Sequence, residues 1–264
     1  MFANAIKLLR LSMPAIDKFF NCAKIYLVLG LCPVTAVFAA DLTAYTEEWP
    51  PYNYAMDHEV KGISTEILRA ACDLAKLHCE FKIVPWARAY KTVTNTPNTL
   101  IYSTARNPAR EKQFAWLGPI LPRNAWAYGK TGMNTDILNF KDLTRTRIGV
   151  VRDDAAQNDL IAVGVPTSSF LVVNSHLDAL RLMMLDKINL VVNTEIGMAW
   201  NLQIAGISPS AITKVIKVKE GDLYYAFNLK SDSVVMAKLK TSIDKLRREG
   251  KIDSIVSLYI KQKN

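Results

Sequence analysis

The chain has 264 residues, half of them hydrophobic, with 33 Lys and Arg against 24 Asp and Glu and a formal net charge of +9. That length and apolar content are enough for a substantial buried core, as one large domain or two modest lobes, and they exclude a disordered chain. The positive charge is scattered rather than interleaved with aromatics, which excludes a nucleic-acid-binding surface and leaves a general bias toward anionic solutes or an anionic membrane face.

The first forty residues differ from the rest. Lys18 and Lys24 precede an apolar run from Ile25 to Val37, and the small residues Ala36, Ala39 and Ala40 close it. Basic, then apolar, then small is the order of a secretory signal peptide spanning 1–39, cleaved after Ala39 or Ala40, which predicts a periplasmic protein. The apolar run is short for a membrane span, so an uncleaved anchor is the weaker alternative. The segment ahead of Lys18 is long for a signal, which makes Met13 a second candidate start beside Met1. Leu31 stands where a lipoprotein signal needs a small residue before Cys32, so no lipid anchor is expected.

Asp41 to Tyr45 alternates as a strand and runs into Glu47-Glu48-Trp49-Pro50-Pro51-Tyr52, where the prolines end pairing and leave two aromatics on a loop. Trp49 and Tyr52 either pack on the proline turn or face a ligand. From Gly62 the pattern turns helical, with Ile63, Ile67, Leu68, Ala71, Leu74 and Ala75 on one face. Glu80 to Pro85 reads as a second strand, with Trp86 and Arg88 at its end. Ligands collect where the strands of an open α/β sheet end, so both residues belong to a candidate rim, although Arg88 has the alternative of pairing with a surface carboxylate.

Cys72 and Cys79 are the cysteines that remain after export. A close pair in an oxidising compartment is expected to be bridged, provided that the helix carrying Cys72 ends before Cys79; within one continuous helix the two would lie about 10 Å apart along the axis. With His58, His78 and His176 scattered, no zinc-like spacing exists, and neither a metal nor another cofactor is expected.

Thr99 to Ile120 is the most informative stretch. Leu100 to Tyr102 is a short apolar strand, and Ser103, Thr104, Arg106 and Arg110 follow as a polar turn before Phe114 and Trp116. Hydroxyls, backbone N–H groups and a planar guanidinium delivered together at a strand end suit an anion, since a bidentate Arg to carboxylate contact is among the stronger ones available. Phe114 to Gly129 then reads as extended. Asn139 to Leu143 reads as a short helix, and Arg147 to Val151 as a strand emptying into Arg152-Asp153-Asp154-Ala155. Helix Ala156 to Ala162, strand Ser169 to Val173, helix Leu177 to Asp186 capped by Ser175, and strand Ile188 to Val192 come next. This alternation argues for a second, small parallel sheet, with Asn193, Thr194 and Glu195 at its rim. Leu223 to Leu229 is strand-like, Ser233 to Arg248 is an amphipathic helix stopped by Gly250, and Asp253 to Ile260 is a last short helix.

Arg110 six residues ahead of Trp116, with Gly118-Pro119 beyond, resembles the polar amino acid-type periplasmic solute-binding proteins (family 3), as does the closing Leu246-Arg247-Arg248-Glu249-Gly250-Lys251-Ile252. The resemblance covers Leu42 to Ile260. It implies an α/β, two-lobed periplasmic binding fold of type II, each lobe a mixed sheet flanked by helices: lobe 1 over 40–128, lobe 2 over 129–222, and a return to lobe 1 over 223–264. It further implies a monomer that traps a small polar solute, an amino acid or related zwitterion, for an ABC-type membrane permease. Closure then follows from contacts that both lobes make with the ligand.

The family's carboxylate anchor maps onto Arg110 and its aromatic walls onto Trp49, Tyr52 and Trp86. Two departures stand out. The family's Gly-Thr turn at a helix N-terminus, which favours negative charge, is matched here by Asp153-Asp154. The family's Asp for a ligand ammonium is matched by Thr194, with Glu195 beside it. Either Asp154 or Glu195 takes over the ammonium, or the ligand is not an α-amino acid. An enzyme on the same scaffold, dehydratase-like, would need Asp154 or Glu195 as acid or base, but no Ser, His, Asp arrangement supports one. A sensing role would need a separate signalling partner. A purely structural protein would have no reason to gather Arg and aromatic residues at strand ends.

Overall fold

The computed structural model describes residues 40–133, 137–152 and 154–260. The expected signal segment and Asp153 lie outside the described residues, and the described residues from 40 onward form one compact unit.

The first sheet has the order β4-β1-β5-β12-β6, built from β1 (Leu42–Thr46), β4 (Cys79–Ile83), β5 (Thr99–Ala105), β6 (Ala115–Pro122) and β12 (Asp222–Phe227). β1 lies parallel to β4 and β5, while β12 runs antiparallel between β5 and β6. A small hairpin of β2 (Tyr54–Met56) and β3 (Glu59–Lys61) leads into α1 (Ile63–Ala75). The second sheet has the order β11-β7-β10-β8-β9, from β7 (Ala125–Lys130), β8 (Ile148–Val151), β9 (Phe170–Val173), β10 (Leu190–Thr194) and β11 (Ile212–Lys219). β8, β9 and β10 are mutually parallel, as the alternation predicts, and β7 and β11 add the antiparallel part. Both sheets are therefore mixed, and the molecule is a two-lobed α/β protein.

Each lobe has its own core. Leu42, Ile67, Leu68, Leu100, Phe227, Leu239 and Ile243 are fully or almost fully buried together, which ties the C-terminal helices α6 (Ser233–Arg248) and α7 (Lys251–Tyr259) to the first lobe. In the second lobe β10 is buried on both faces: Leu190 and Val192 join Ile148, Val150 and Leu160, while Val191 joins Leu180, Met183 and Met198. A strand covered on both sides reads as a continuous apolar run, as Leu-Val-Val does here.

Lys76 takes the left-handed conformation (φ 54°) and the Leu77 N–H returns to the Cys72 carbonyl at 3.0 Å, ending α1 within one residue. The chain can then double back into β4, and Cys72 and Cys79 form a disulfide with their Cα atoms 6.3 Å apart. The condition the sequence set for the bridge, a helix that stops between the two cysteines, is met.

Five elements appear only here: β2, β3, α2 (Trp86–Asn95), α5 (Glu195–Ala205) and β11. Ser103 and Thr104, read as turn residues, instead belong to β5, where the pairing with β12 shifts register and Ser103 is pushed to φ 57°. For a non-glycine residue that conformation costs on the order of 1 kcal/mol, and it is the kind of local irregularity found beside binding sites. The chain changes sheets at Arg123 and Asn124, so Tyr128, where the sequence expectation placed the first crossing, lies inside the second sheet. The run from Ala115 to Lys130 is extended throughout, and nothing in its apolar pattern marks that switch. The returning crossing runs alongside, with the Arg123 N–H donating to the Gly221 carbonyl at 2.7 Å.

Candidate functional site

In both sheets the C-terminal ends of the parallel strands point into one cleft, the place where open α/β sheets gather ligands. On the second lobe three successive strand-to-helix turns are closed by their own side chains. Asp154 accepts the Ala156 N–H at 2.6 Å to cap α3 (Ala155–Ala162). Ser175 accepts the Asp178 N–H at 3.0 Å to cap α4 (His176–Met184). Thr194 accepts the Gly197 N–H at 3.0 Å to cap α5. The α3 N-terminus thus already carries a carboxylate of the chain itself, which takes the Ala156 N–H and sets a negative charge where an anion would otherwise be held.

Asp154 Oδ2 also meets Nε2 of His176 at 3.0 Å. Burial pushes the Asp154 carboxyl upward, but the hydrogen bond from His176, the charge of that ring when it is protonated, the Ala156 N–H and the Arg123 guanidinium outweigh it and hold the group below the usual carboxylate range. Arg123, at the strand crossing, is 6% exposed and pairs with Asp159 at 2.7 Å. Trp49, Arg123, Asp154, His176, Asn193 and Thr194 line a cavity of about 10 Å³ between the lobes, roughly the space of one water. A wider groove lies on the outer face between α1 and α6, lined by Leu74, Val234, Ala237 and Lys238, but no strand end opens onto it.

On the first lobe Glu47 follows β1 directly and is half-buried. Burial, reinforced by the charge of Asp154 and opposed by that of Arg110, pushes its carboxyl up to about 7. Glu47 is therefore within electrostatic reach of both Arg110 and Asp154. Arg110 spreads its guanidinium over the rings of Trp86 (5.1 Å) and Tyr90 (5.7 Å) and donates to the Ala105 carbonyl at 3.3 Å. The aromatic platform holds the guanidinium plane while leaving other N–H donors for a ligand. Ser103 donates to Asn53 Oδ1, and Asn53 Nδ2 donates to the Glu47 carbonyl, so the ends of β5 and β1 are tied together.

The expected site residues fall into two groups. Trp49, Tyr52, Trp86, Ser103, Arg110, Asp154 and Thr194 lie on the two strand-end rims; Trp49 stacks on Tyr52 with ring centroids 4.4 Å apart, and Tyr52 donates to Thr194 Oγ1 at 2.9 Å. Thr104 is fully buried and its hydroxyl returns to the Ile101 carbonyl at 3.3 Å. The others are turned to different partners. Arg106 is exposed, bonded to Glu111 at 2.8 Å and set over Trp116 and Tyr224. Arg88 is exposed on α2. Glu195 pairs with Lys214, which together with Asn124 keeps its carboxyl below the usual range against some burial. Asn193, named from the sequence only as a rim residue beside Thr194, lines the cavity; Glu47, Arg123 and His176 were not picked out from the sequence, and Glu47 and His176 are legible in hindsight, because each sits just beyond the C-terminal end of a parallel strand.

Among the described residues no group of three or more His, Cys, Asp or Glu is placed to hold a metal ion, and no helix is long and apolar enough to cross a membrane.

A sequence profile of bacterial extracellular solute-binding proteins, family 3, matches residues 42–262. The chain belongs to that family. Comparison with curated protein sequences gives no match. Among solved structures, this family 3 protein is similar to a histidine kinase sensor domain that itself resembles periplasmic binding proteins, at 15% identity, TM-score 0.68, covering 83% of this chain and 96% of the other. An ancestral arginine-binding protein bound to arginine gives 15% identity and TM-score 0.65 over 83% and 97% of the two chains. The second substrate-binding domain of GlnP from Lactococcus lactis, in an open conformation, gives 15% identity and TM-score 0.63 over 84% and 96%. At such identities the likeness is one of fold.

Proposed function

We propose that this protein is exported to the periplasm, traps a small polar solute between its lobes, and hands it to a membrane transporter as a monomer. The solute is an amino acid or a related zwitterion, and binding rather than catalysis is its role. Family membership supports solute binding. The observation that carries the reading to this ligand class is the charge arrangement at the cleft: an aromatic-supported guanidinium, Arg110, and the second lobe's Asp154 both act on Glu47, whose carboxyl is pushed up while that of Asp154 is held down. A site with one directed cation and nearby carboxylates matches a molecule that carries a carboxylate together with a donor group.

In this reading Trp49, Tyr52 and Trp86 form the aromatic wall, Arg110 and Ser103 hold the carboxylate end, and Thr194 closes the cleft from the second lobe. The test is a thermal-stabilisation screen of the purified protein against amino acids, small carboxylates, amines and sugars. A true ligand at about a hundred times its dissociation constant adds roughly 2.7 kcal/mol of stability. Stabilisation by amino acids or their relatives is the expected result, and stabilisation by sugars alone would overturn the ligand class.

A further inference from the structure

The second lobe's charged groups around the cavity are already matched. Among the described residues lining it, Arg123 is paired with Asp159 at 2.7 Å, and both oxygens of Asp154 are taken, Oδ1 by the Ala156 N–H and Oδ2 by His176. Glu195, the neighbouring carboxylate, is held by Lys214 and Asn124. What the same wall carries without a partner is polar but not committed to an ion: Nδ2 of Asn193 and Nδ1 of His176 are both buried and unbonded.

The chemistry of these two atoms is fixed by their neighbours. Asn193 is 3% exposed and its Oδ1 accepts the Thr194 N–H at 2.8 Å, so the amide cannot turn over and Nδ2 is a donor. An ionised Asp154 can only accept, so the proton of His176 sits on Nε2, and in the neutral ring Nδ1 is an acceptor. A buried donor and a buried acceptor left unpaired each forfeit the hydrogen bonds they made to water. One ligand group with an acceptor and a donor satisfies both.

We propose that the second lobe reads an uncharged hydrogen-bonding group of the ligand, an amide or a hydroxyl, through Asn193 Nδ2 and His176 Nδ1, with Asp154 as the positioning residue that fixes the imidazole. This rests on the solute-binding reading and narrows it. The ligand's carboxylate goes to Arg110 in the first lobe, and its other end is neutral. A second carboxylate would face Asp154, and a cationic side chain would find no carboxylate of this lobe free to pair with it, so each would carry an uncompensated buried charge.

The test is isothermal titration of the protein with matched probes: glutamine against glutamate, asparagine against aspartate, serine against alanine, and lysine and arginine. The amide or hydroxyl member of the best pair is expected to bind about tenfold or more tightly, because a site built to hydrogen-bond a group rejects the analogue lacking it. His176→Ala and Asn193→Asp, the latter keeping the oxygen that accepts from Thr194, are each expected to bring that ratio toward one. Melting temperatures without ligand report whether the variants fold, and His176→Gln is the second variant should His176→Ala not. Nitrogen NMR of the imidazole reads the positioning role, with an Nε2–H tautomer in the parent and a mixture in Asp154→Asn. Preference for an acidic or cationic probe, a ratio unchanged in both variants, or an unchanged tautomer in Asp154→Asn overturns the inference and leaves solute binding intact. Absence of binding by every probe class brings down the amino-acid reading and this inference with it.

Discussion

Tyr52 donates its phenolic hydrogen to Oγ1 of Thr194 at 2.9 Å, joining the first lobe to the second, with both residues buried. The contact is supported by Trp200 of α5, whose ring lies 6.2 Å from that of Tyr54 and 6.0 Å from that of Tyr259. These groups belong to different lobes, so they can act only when the cleft is shut, and they favour the closed arrangement by whatever they contribute. Tyr52→Phe leaves Thr194 Oγ1 its Gly197 partner, so no buried orphan is created and the loss stays near 1 kcal/mol. The expected outcome is a shift toward open molecules in the absence of ligand, read as a longer interlobe distance by spin-label pairs. Identical distance distributions in parent and variant would show that the hydrogen bond does not favour closure.

Glu47 gives the protein a pH dependence of defined sign. Its carboxyl is raised to about 7 in the folded state from an ordinary value of 4.5, so between those values the folded protein holds the proton more tightly than the unfolded chain. The stability tied to that proton is fully present below about pH 4.5 and is lost as pH rises through about 7, on the order of 3 kcal/mol in all. Asp154, held below its usual range, works in the opposite sense: its contribution is present above the unfolded value and is lost as pH falls below it. Glu47→Gln is therefore expected to unfold at a higher temperature than the parent at pH 8 and at nearly the same temperature at about pH 4.5. Parallel melting curves across that range would mean the group is not held as described.

Much of this was legible in the sequence, and what was not has physical causes. The β and α alternation from Arg147 to Val192 shows because short apolar strand runs are spaced by helical stretches, of which α4 is amphipathic and announced by its Ser175 cap. α5 hides because its apolar residues go all the way round, with Ile196 touching the first lobe's core and Met198 and Leu202 the second's. β11 hides because two register shifts, after Lys214 and after Lys217, break its alternation. At the site, the resemblance pointed to Arg110, while Glu47 was only part of the segment after the first strand and His176 one of three scattered histidines; only the convergence of strand ends, which a linear pattern does not encode, makes them part of the cleft. Arg106 shows the converse, a charge in a suggestive motif that the fold turns toward Glu111.

The Cys72 to Cys79 bridge closes a short loop, with a sequence separation of 7, for which chain entropy gives about 2–3 kcal/mol. Trypsin cleaves after Lys76, between the two cysteines, so non-reducing digestion is expected to yield peptides 70–76 and 77–82 joined as one mass. Recovery of the two peptides separately, with free thiols, would exclude the bridge. Reduction should lower the unfolding midpoint without opening the cleft, because the bridge joins α1 to β4 within one lobe.

Arg110→Ala is the substitution on which the ligand reading depends most. The guanidinium lies over Trp86 and Tyr90, and the charge it brings opposes the upward push on Glu47. Removing it takes away a stacked contact of about 0.5–1 kcal/mol from the unliganded protein, a modest change in melting temperature. For a carboxylate ligand the loss is larger, because a charged hydrogen bond contributes about 1.5–3 kcal/mol and its absence leaves the ligand's charge uncompensated in a closed cleft. Affinity is expected to fall tenfold or more, since each decade corresponds to about 1.4 kcal/mol. Arg110→Lys is not expected to restore it in full, since a lysine keeps the charge but neither the planar stack nor the paired donors. The same change moves the Glu47 titration upward, because the opposing cation is gone, so the pH profile of stability shifts even with no ligand present. Lost affinity together with a shifted profile identifies Arg110 as the cleft cation; unchanged affinity for an identified ligand would remove the anchor and, with it, the assignment of a carboxylate to the first lobe.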